Sequence, residues 1–307
     1  MQSDKRNLKD YFLLTARGFA MGAADIVPGV SGGTMAFILG IYDELLDAIH
    51  AVDAAFVRRI ITLRWREAFA VFPWRFLLAI FLGIFLAVFT LSNALHLALE
   101  EHPSLLWAFF FGLIVASIWV VRTRIRWTVG TWVAAALTSV GAFFLVGFTP
   151  THTPETPLFF FLSGAIAICA MILPGISGAF ILVLLGKYQQ VLSAVINFDI
   201  VTLALVASGA VIGLLLFANT LRWLLRHYHD LTVAALIGFM AGSLREVYPW
   251  KQSTLLPDGL VLETNILPTT LTPEVVLALL LMSLGFVLVL GMERAAKAAE
   301  FAKQGDD

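Results

Sequence analysis

Two short strings hold the residues whose types and spacing suit chemistry. The first is Ala24-Asp25-Ile26-Val27-Pro28-Gly29-Val30-Ser31-Gly32-Gly33-Thr34, and the second is Pro174-Gly175-Ile176-Ser177-Gly178. Each is set in a run of apolar residues. Proline removes a backbone donor and glycine permits dihedrals closed to other residues, so Pro28-Gly29 and Pro174-Gly175 are expected to break a helix. A new helix then starts near Val30 or Ser31. Its first N–H groups lack intrahelical partners and carry the positive end of the helix dipole. Ser31 and Thr34 add hydroxyls, while Gly32 and Gly33 let a ligand approach the backbone; Ser177 and Gly178 repeat the pattern. Such an arrangement suits a phosphate. The same residues have a plainer account, in which Ser31 and Ser177 are ordinary N-caps and the glycines allow close helix packing.

Arg17 and Asp25 are the ionisable residues deepest in the first run. Intramembrane charges are costly and tend to have a partner and a function. Asp25 is a candidate to pair with Arg17 at rest, leaving Arg17 for an anionic substrate on loading, or to carry a coupling proton or sodium ion. The other account of Arg17 is a structural pair or a side chain reaching to the membrane surface. The second run has Ser163 and Met171 in these places, so the charges are not duplicated. Asp43, Glu44 and Asp47 read as the solvated end of the first hairpin's returning arm, with Glu44 a secondary coupling or ion-pair candidate. Asn93 and Asn219 suit interhelical hydrogen bonds, and Arg245 with Glu246 an interfacial ion pair. Gly238 and Gly242 have the GxxxG spacing of close helix packing. The six histidines lack metal-ligand spacing, and a single cysteine, Cys169, excludes an internal disulfide or a thiolate cluster. No metal or cofactor is expected.

These strings belong to a chain built for lipid. Of 307 residues, 60% are hydrophobic and 13% charged, about half the charge of a soluble domain, and mean hydropathy is +0.89. A net charge of −1 carries no nucleic-acid signal. The apolar runs read as a broken hairpin at 11–49 and spans near 72–99, 104–121 and 128–148. A second broken hairpin follows at 158–196, then spans near 200–221, 231–247 and 273–291. Tyr11–Ala24 runs into Asp25 and Pro28 rather than a cleavage site, so it is expected to be retained structure. With the N-terminus in the cytoplasm and each hairpin entering and leaving on one side, 16 of the 20 Lys and Arg residues become cytoplasmic. Only Lys187, Arg245 and Lys251 fall outside, a bias that sets the orientation.

The chain also repeats itself. The hairpins align at an offset of 146, matching Pro28, Gly29, Ser31 and Gly32 to Pro174, Gly175, Ser177 and Gly178, and Leu39-Gly40 and Tyr42 to Leu185-Gly186 and Tyr188. The next spans align at 126, with Gly83 and Gly112 against Gly209 and Gly238, and the last at 144, with Gly141 against Gly285. Each half, 1–150 and 151–307, is therefore expected to be a broken hairpin plus three transmembrane helices. A hairpin that dips in and one that crosses twice both return to the same side. The first arm, 16 residues or about 24 Å, is slightly short of a full span, which favours re-entrant hairpins. Three crossings invert the second half. The expected fold is an all-α polytopic membrane protein with an inverted-topology repeat, an architecture of transporters.

At these motifs the sequence resembles the bacterial polyprenyl-phosphate transporter family. The resemblance covers essentially the whole chain and is most specific at Asp25, Pro28, Gly29, Ser31, Gly32, Gly33 and Thr34, with Pro174, Gly175, Ser177 and Gly178 in the second copy. It implies a flippase that returns undecaprenyl phosphate, the lipid carrier of peptidoglycan and other envelope polymers, from the outer to the inner leaflet of the cytoplasmic membrane. Both termini would be cytoplasmic and membrane lipids would surround it. Paired helix N-termini, hydroxyls and Arg17 would replace the hydration of the phosphate head, while the polyprenyl tail stayed in lipid. Two other readings remain open. Integral membrane polyprenyl-diphosphate phosphatases are similar in having a Pro-Gly-x-Ser break, but they carry an arginine where Gly32 and Gly178 stand here. A small-anion transporter would use the same helix-end site.

Overall fold

The structure, a computed structural model, describes residues 6–27, 30–148, 153–255 and 261–304. Its contacts divide the chain into two units, one of residues 1–94 and 150–228, the other of residues 95–149 and 229–307.

In the first unit, α1 (Leu8–Ile26) opens with a reciprocal cap in which Asn7 and Asp10 each take the other's backbone N–H. After Val27 come α2 (Gly32–Ile38) and α3 (Tyr42–His50); Pro28 and Gly29 lie outside the described residues. The second hairpin repeats the series as α9 (Pro157–Ile172), α10 (Gly178–Leu184) and α11 (Tyr188–Ile196). Pro157 stands in the first turn of α9, where a missing N–H breaks no helix bond. At the break after α9, Pro174 is buried and Gly175 has φ +100°, a conformation other residues avoid.

The returning arm of each hairpin is broken as well, which its apolar pattern does not signal. Gly40 has φ +70°, with its N–H on Phe37 O and that of Ile41 on Ala36 O. Gly186 has φ +67°, with Val183 O and Leu182 O taking the corresponding N–H groups of Gly186 and Lys187. This is the Schellman stop, which glycine permits at little steric cost. Asp43, Glu44 and Asp47 consequently lie on a helix of their own, and α10 and α11 meet at 107°.

Two short helices, α4 (Ala54–Ile61) and α5 (Trp65–Val71), occupy the basic stretch expected to be loop. They lead into α6 (Trp74–Glu101), whose counterpart is α12 (Ile200–His227), each of 28 residues. Asp199 caps α12; the Thr202 hydroxyl and N–H hold its carboxyl below the usual carboxylate range. α1 lies directly on α6 and α9 on α12. A Cβ on Gly18 would run into the backbone of Ile80, and one on Gly164 into that of Val206. The glycines thus set the helix spacing at matching places in both hairpins.

In the second unit, α7 (Pro103–Val121) packs on α14 (Pro273–Gln304), and α8 (Val129–Leu145) on α13 (His229–Ser243). Gly112 meets the Met282 backbone, while Gly238 and Gly242 meet those of Ala135 and Ser139, the close packing expected of the GxxxG spacing. A short antiparallel pair, β1 (Lys251–Leu255) and β2 (Val261–Asn265), sets Lys251 opposite Asn265 and departs from an all-α expectation.

Among the described residues, four helices are long and apolar enough to cross a bilayer: α6, α7 with its following turn to Arg124, α12, and α14 to Arg294. The bent pair α10–α11 is a fifth candidate. α8 and α13 are shorter, at 17 and 15 residues, or about 25 and 22 Å against a hydrocarbon core of about 30 Å. Phe81, Phe85 and Phe89 on α6, Leu216 on α12 and Leu280 on α14 are exposed. So much outward apolar surface requires lipid around it. The protein is a multi-pass helical membrane protein.

Candidate functional site

The two broken hairpins meet inside the first unit, and the residues of the two Pro-Gly strings join them. The Ser31 hydroxyl donates to Met171 O at 3.0 Å. The Gly175 N–H donates to Thr34 Oγ1 at 2.8 Å. The Tyr42 hydroxyl donates to Ile172 O at 2.9 Å. The partners on the second hairpin are all backbone groups freed by its break: the last carbonyls of α9 and an N–H in the gap. A helix end leaves such groups unpaired, and the bilayer core offers no water to take them.

The N-terminus of α2 is filled from its own chain. The Gly32 N–H donates to Asp25 Oδ1 at 2.6 Å, and the Gly33 N–H to Ser31 Oγ at 3.1 Å. A carboxylate there is favoured by the helix dipole. The space a Cβ on Gly32 would need is taken by the Asp25 carboxylate, and that on Gly33 by the carbonyls of Met171 and Ile172. Ser31 and Thr34 are fully buried. Ser31, Gly32, Gly33 and Thr34 therefore form a closed junction rather than an open cradle, and Ser31 both caps its helix and bridges to the other hairpin.

The second break is not equivalent. Ser177 makes no side-chain cap bond, and no side chain caps α10 among the described residues. Gly178 packs against Ala167 O. Met171 stands where the first half has Asp25, and a thioether is a weak acceptor.

Arg17 does not reach Asp25. The two are eight positions apart on α1, about 12 Å of helix, and the carboxylate is engaged at Gly32. The expected resting pair is replaced by a carboxylate cap. Arg17 is half-buried and has no ion pair or hydrogen bond among the described residues. Glu44 does form an ion pair, with Arg6, through two bonds of 2.7 Å. Asp47 pairs with Arg222 and Arg226, and His50 bonds to Asn219, tying α3 to α12. Arg245 donates to Phe143 O at 3.0 Å instead of pairing with Glu246.

Lys187 has no place among the expected site residues. It stands in the elbow between α10 and α11 and is completely buried. The repeat carries its signal: Leu39-Gly40-Ile41-Tyr42 aligns with Leu185-Gly186-Lys187-Tyr188, a charge in place of an apolar side chain.

Comparisons with known proteins agree with the resemblance at the motifs. The model of the undecaprenyl phosphate translocase-like family matches residues 21–258. A polyprenyl-phosphate transporter of Vibrio cholerae is 42% identical over 306 residues, covering 94% of this chain and 98% of that protein. A polyprenyl-phosphate transporter of Staphylococcus aureus is 31% identical over 252 residues, covering 76% of this chain and 84% of its own. No solved structure matches.

Proposed function

The chain belongs to the undecaprenyl phosphate translocase-like family, and from that premise we propose that it returns undecaprenyl phosphate from the outer to the inner leaflet of the bacterial cytoplasmic membrane. Both relatives bear the name of polyprenyl-phosphate transporters, so polyprenyl phosphate is the substrate. The observation that carries the site is the Asp25 carboxylate on the Gly32 N–H, beside the hydroxyls that bridge the two breaks.

Asp25 holds the place that an anionic head would take. Phosphate oxygens accept the same N–H groups. Two anions at one spot repel strongly, so loading requires Asp25 to take a proton or turn away. Asp25 is then the coupling residue and a proton the coupling ion; a sodium ion on the same carboxylate is the alternative. Opening the junction frees the Ser31 and Thr34 hydroxyls, the Gly33 and Gly175 N–H groups, and the approach to Ser177 and Gly178. Arg17 supplies a cation without a prior partner among the described residues. The polyprenyl tail stays in lipid.

In this reading residues 1–150 and 151–307 are inverted copies, and alternating access presents the junction to each leaflet in turn. The paired contacts of Gly18 with Ile80 and Gly164 with Val206 support it, since they recur at the offsets of the sequence repeat. The distribution of Lys and Arg supports cytoplasmic termini. Nothing is hydrolysed, and the protein is a carrier rather than an enzyme.

The test uses purified protein in liposomes with labelled undecaprenyl phosphate in one leaflet. Leaflet exchange without release of free phosphate is the expected result. Release of phosphate would return the phosphatase reading. Folded protein giving neither signal would favour a small-anion transporter.

A further inference from the structure

The buried lysine has no part in the junction. Lys187 is 0% exposed. Its Nζ donates to Thr153 O at 3.0 Å and stands 4.8 Å from the centre of the Phe160 ring. No carboxylate pairs with it among the described residues. The Thr153 hydroxyl donates to Leu185 O at 2.7 Å, which straps the segment before α9 across the elbow. At the third residue of α11, Gln190 Nε2 donates to Glu155, while Gln190 Oε1 is buried without a hydrogen-bond partner. Lys187 and Gln190 are three positions apart at the start of one helix, so they face the same side.

An ammonium has three donors, and a carbonyl and a ring face supply dipoles rather than a counter-charge. Burying it without an anion is strongly unfavourable. Its position at the N-cap of α11 makes matters worse, because the dipole there repels a cation. The fold does not require the charge. The equivalent elbow of the first hairpin makes the same Schellman stop with a buried Ile41. What remains to account for the lysine is an anion.

We propose that the Lys187 elbow binds a phosphate monoester, and that it receives the lipid head before the junction does. This rests on the transport reading above and names a second site for the same substrate. The phosphate takes the place of Thr153 O at Nζ, and its remaining P–OH donates to Gln190 Oε1. By the charge distribution the elbow belongs to the outer side. α10, seven residues long, spans the roughly 10 Å from the elbow to Gly175–Gly178. The first elbow, with Ile41, offers no such charge, so capture is one-sided.

The experiment compares wild type with K187M and K187R, measuring melting temperature, binding of undecaprenyl phosphate with and without inorganic phosphate as competitor, and leaflet exchange. K187M is expected to melt at or above the wild-type temperature and to bind undecaprenyl phosphate about tenfold or more weakly, the scale of one charge-assisted bond. K187R should stay within about threefold of wild type. Competition by inorganic phosphate in wild type but not K187M would identify the phosphate group alone as the ligand. Its failure to compete, with K187M still weak, would assign the site to the lipid head. If K187M does not fold, K187Q, which can still donate to Thr153 O, replaces it with the same expected loss. Wild-type binding in the folded variant overturns the Lys187 site alone. A wild-type protein that neither binds nor exchanges the lipid overturns the transport reading first.

Discussion

Ser31 and Ser177 occupy equivalent places in the repeat and do different work. Ser31 Oγ accepts from the Gly33 N–H in buried surroundings and donates to Met171 O in partly buried ones. Ser177 makes no side-chain cap bond among the described residues. Ser31→Ala should therefore lower stability by about 1–3 kcal/mol, and Ser177→Ala by no more than about 0.5 kcal/mol. Thermal melts of the two variants in detergent decide the matter, and equal losses would refute the asymmetry. Asp25 permits a sharper separation of charge from capping. The amide oxygen of an asparagine would still accept from the Gly32 N–H, so Asp25→Asn should fold. If the carboxylate must be protonated before phosphate loads, wild-type exchange quickens as the loading side is acidified, and the variant's rate becomes flat with pH. A variant that keeps the wild-type pH dependence would remove Asp25 from coupling. The sequence marked all of these residues, because proline, glycine and serine carry their conformational meaning locally. It did not reveal that Ser31 and Thr34 already have partners, because those are backbone groups of the other hairpin, about 140 positions away.

Among the elements, the elbows were the least legible. Gly40 and Gly186 end α2 and α10 in the left-handed region, yet a lone glycine in an apolar run reads equally well as helix packing. Only the backbone distinguishes them. Gly40→Ala and Gly186→Ala should each cost about 1–2 kcal/mol, the steric cost of that conformation for a side chain. Gly141, inside α8, has no atom within 4 Å of the place a Cβ would occupy. There the exchange of glycine for alanine should stabilise by about 0.5–1 kcal/mol, because the helix gains propensity with nothing to displace. Melting temperatures moving in opposite directions would establish the difference, and a common direction would refute it. Long uniform helices were readable to within a few residues at their starts: 72 against Trp74, 200 against Ile200, 273 against Pro273. Their ends were not, since α12 and α14 continue past the apolar run into charged residues that still favour helix, such as Arg226 and Glu293. The β1–β2 pair was missed because its strands are only five residues each and lie between two long apolar runs that dominate the reading.

At the scale of the molecule, the repeat and the packing divide the chain differently. The sequence repeat leads one to expect halves 1–150 and 151–307, whereas contacts assign 1–94 and 150–228 to one unit and the remainder to the other. Inside the second unit each close helix pair takes one member from each half: α7 with α14, and α8 with α13. Gly112 requires Met282 for its contact, and Gly238 requires Ala135. Inside the first unit, Thr34 of the first half satisfies Gly175 of the second. Neither residues 1–150 nor residues 151–307 can therefore complete their own packing. A fragment of residues 1–150 expressed alone should insert but remain protease-sensitive, with α7 and α8 lacking their partners. Co-expression with residues 151–307 should restore protection, because the halves exchange helices without needing a covalent link between them. Limited proteolysis of the fragments, singly and together, checks this. A stable 1–150 fragment would mean that each half closes on itself in solution, and that the exchanged pairing of α7 with α14 is not what holds the fold.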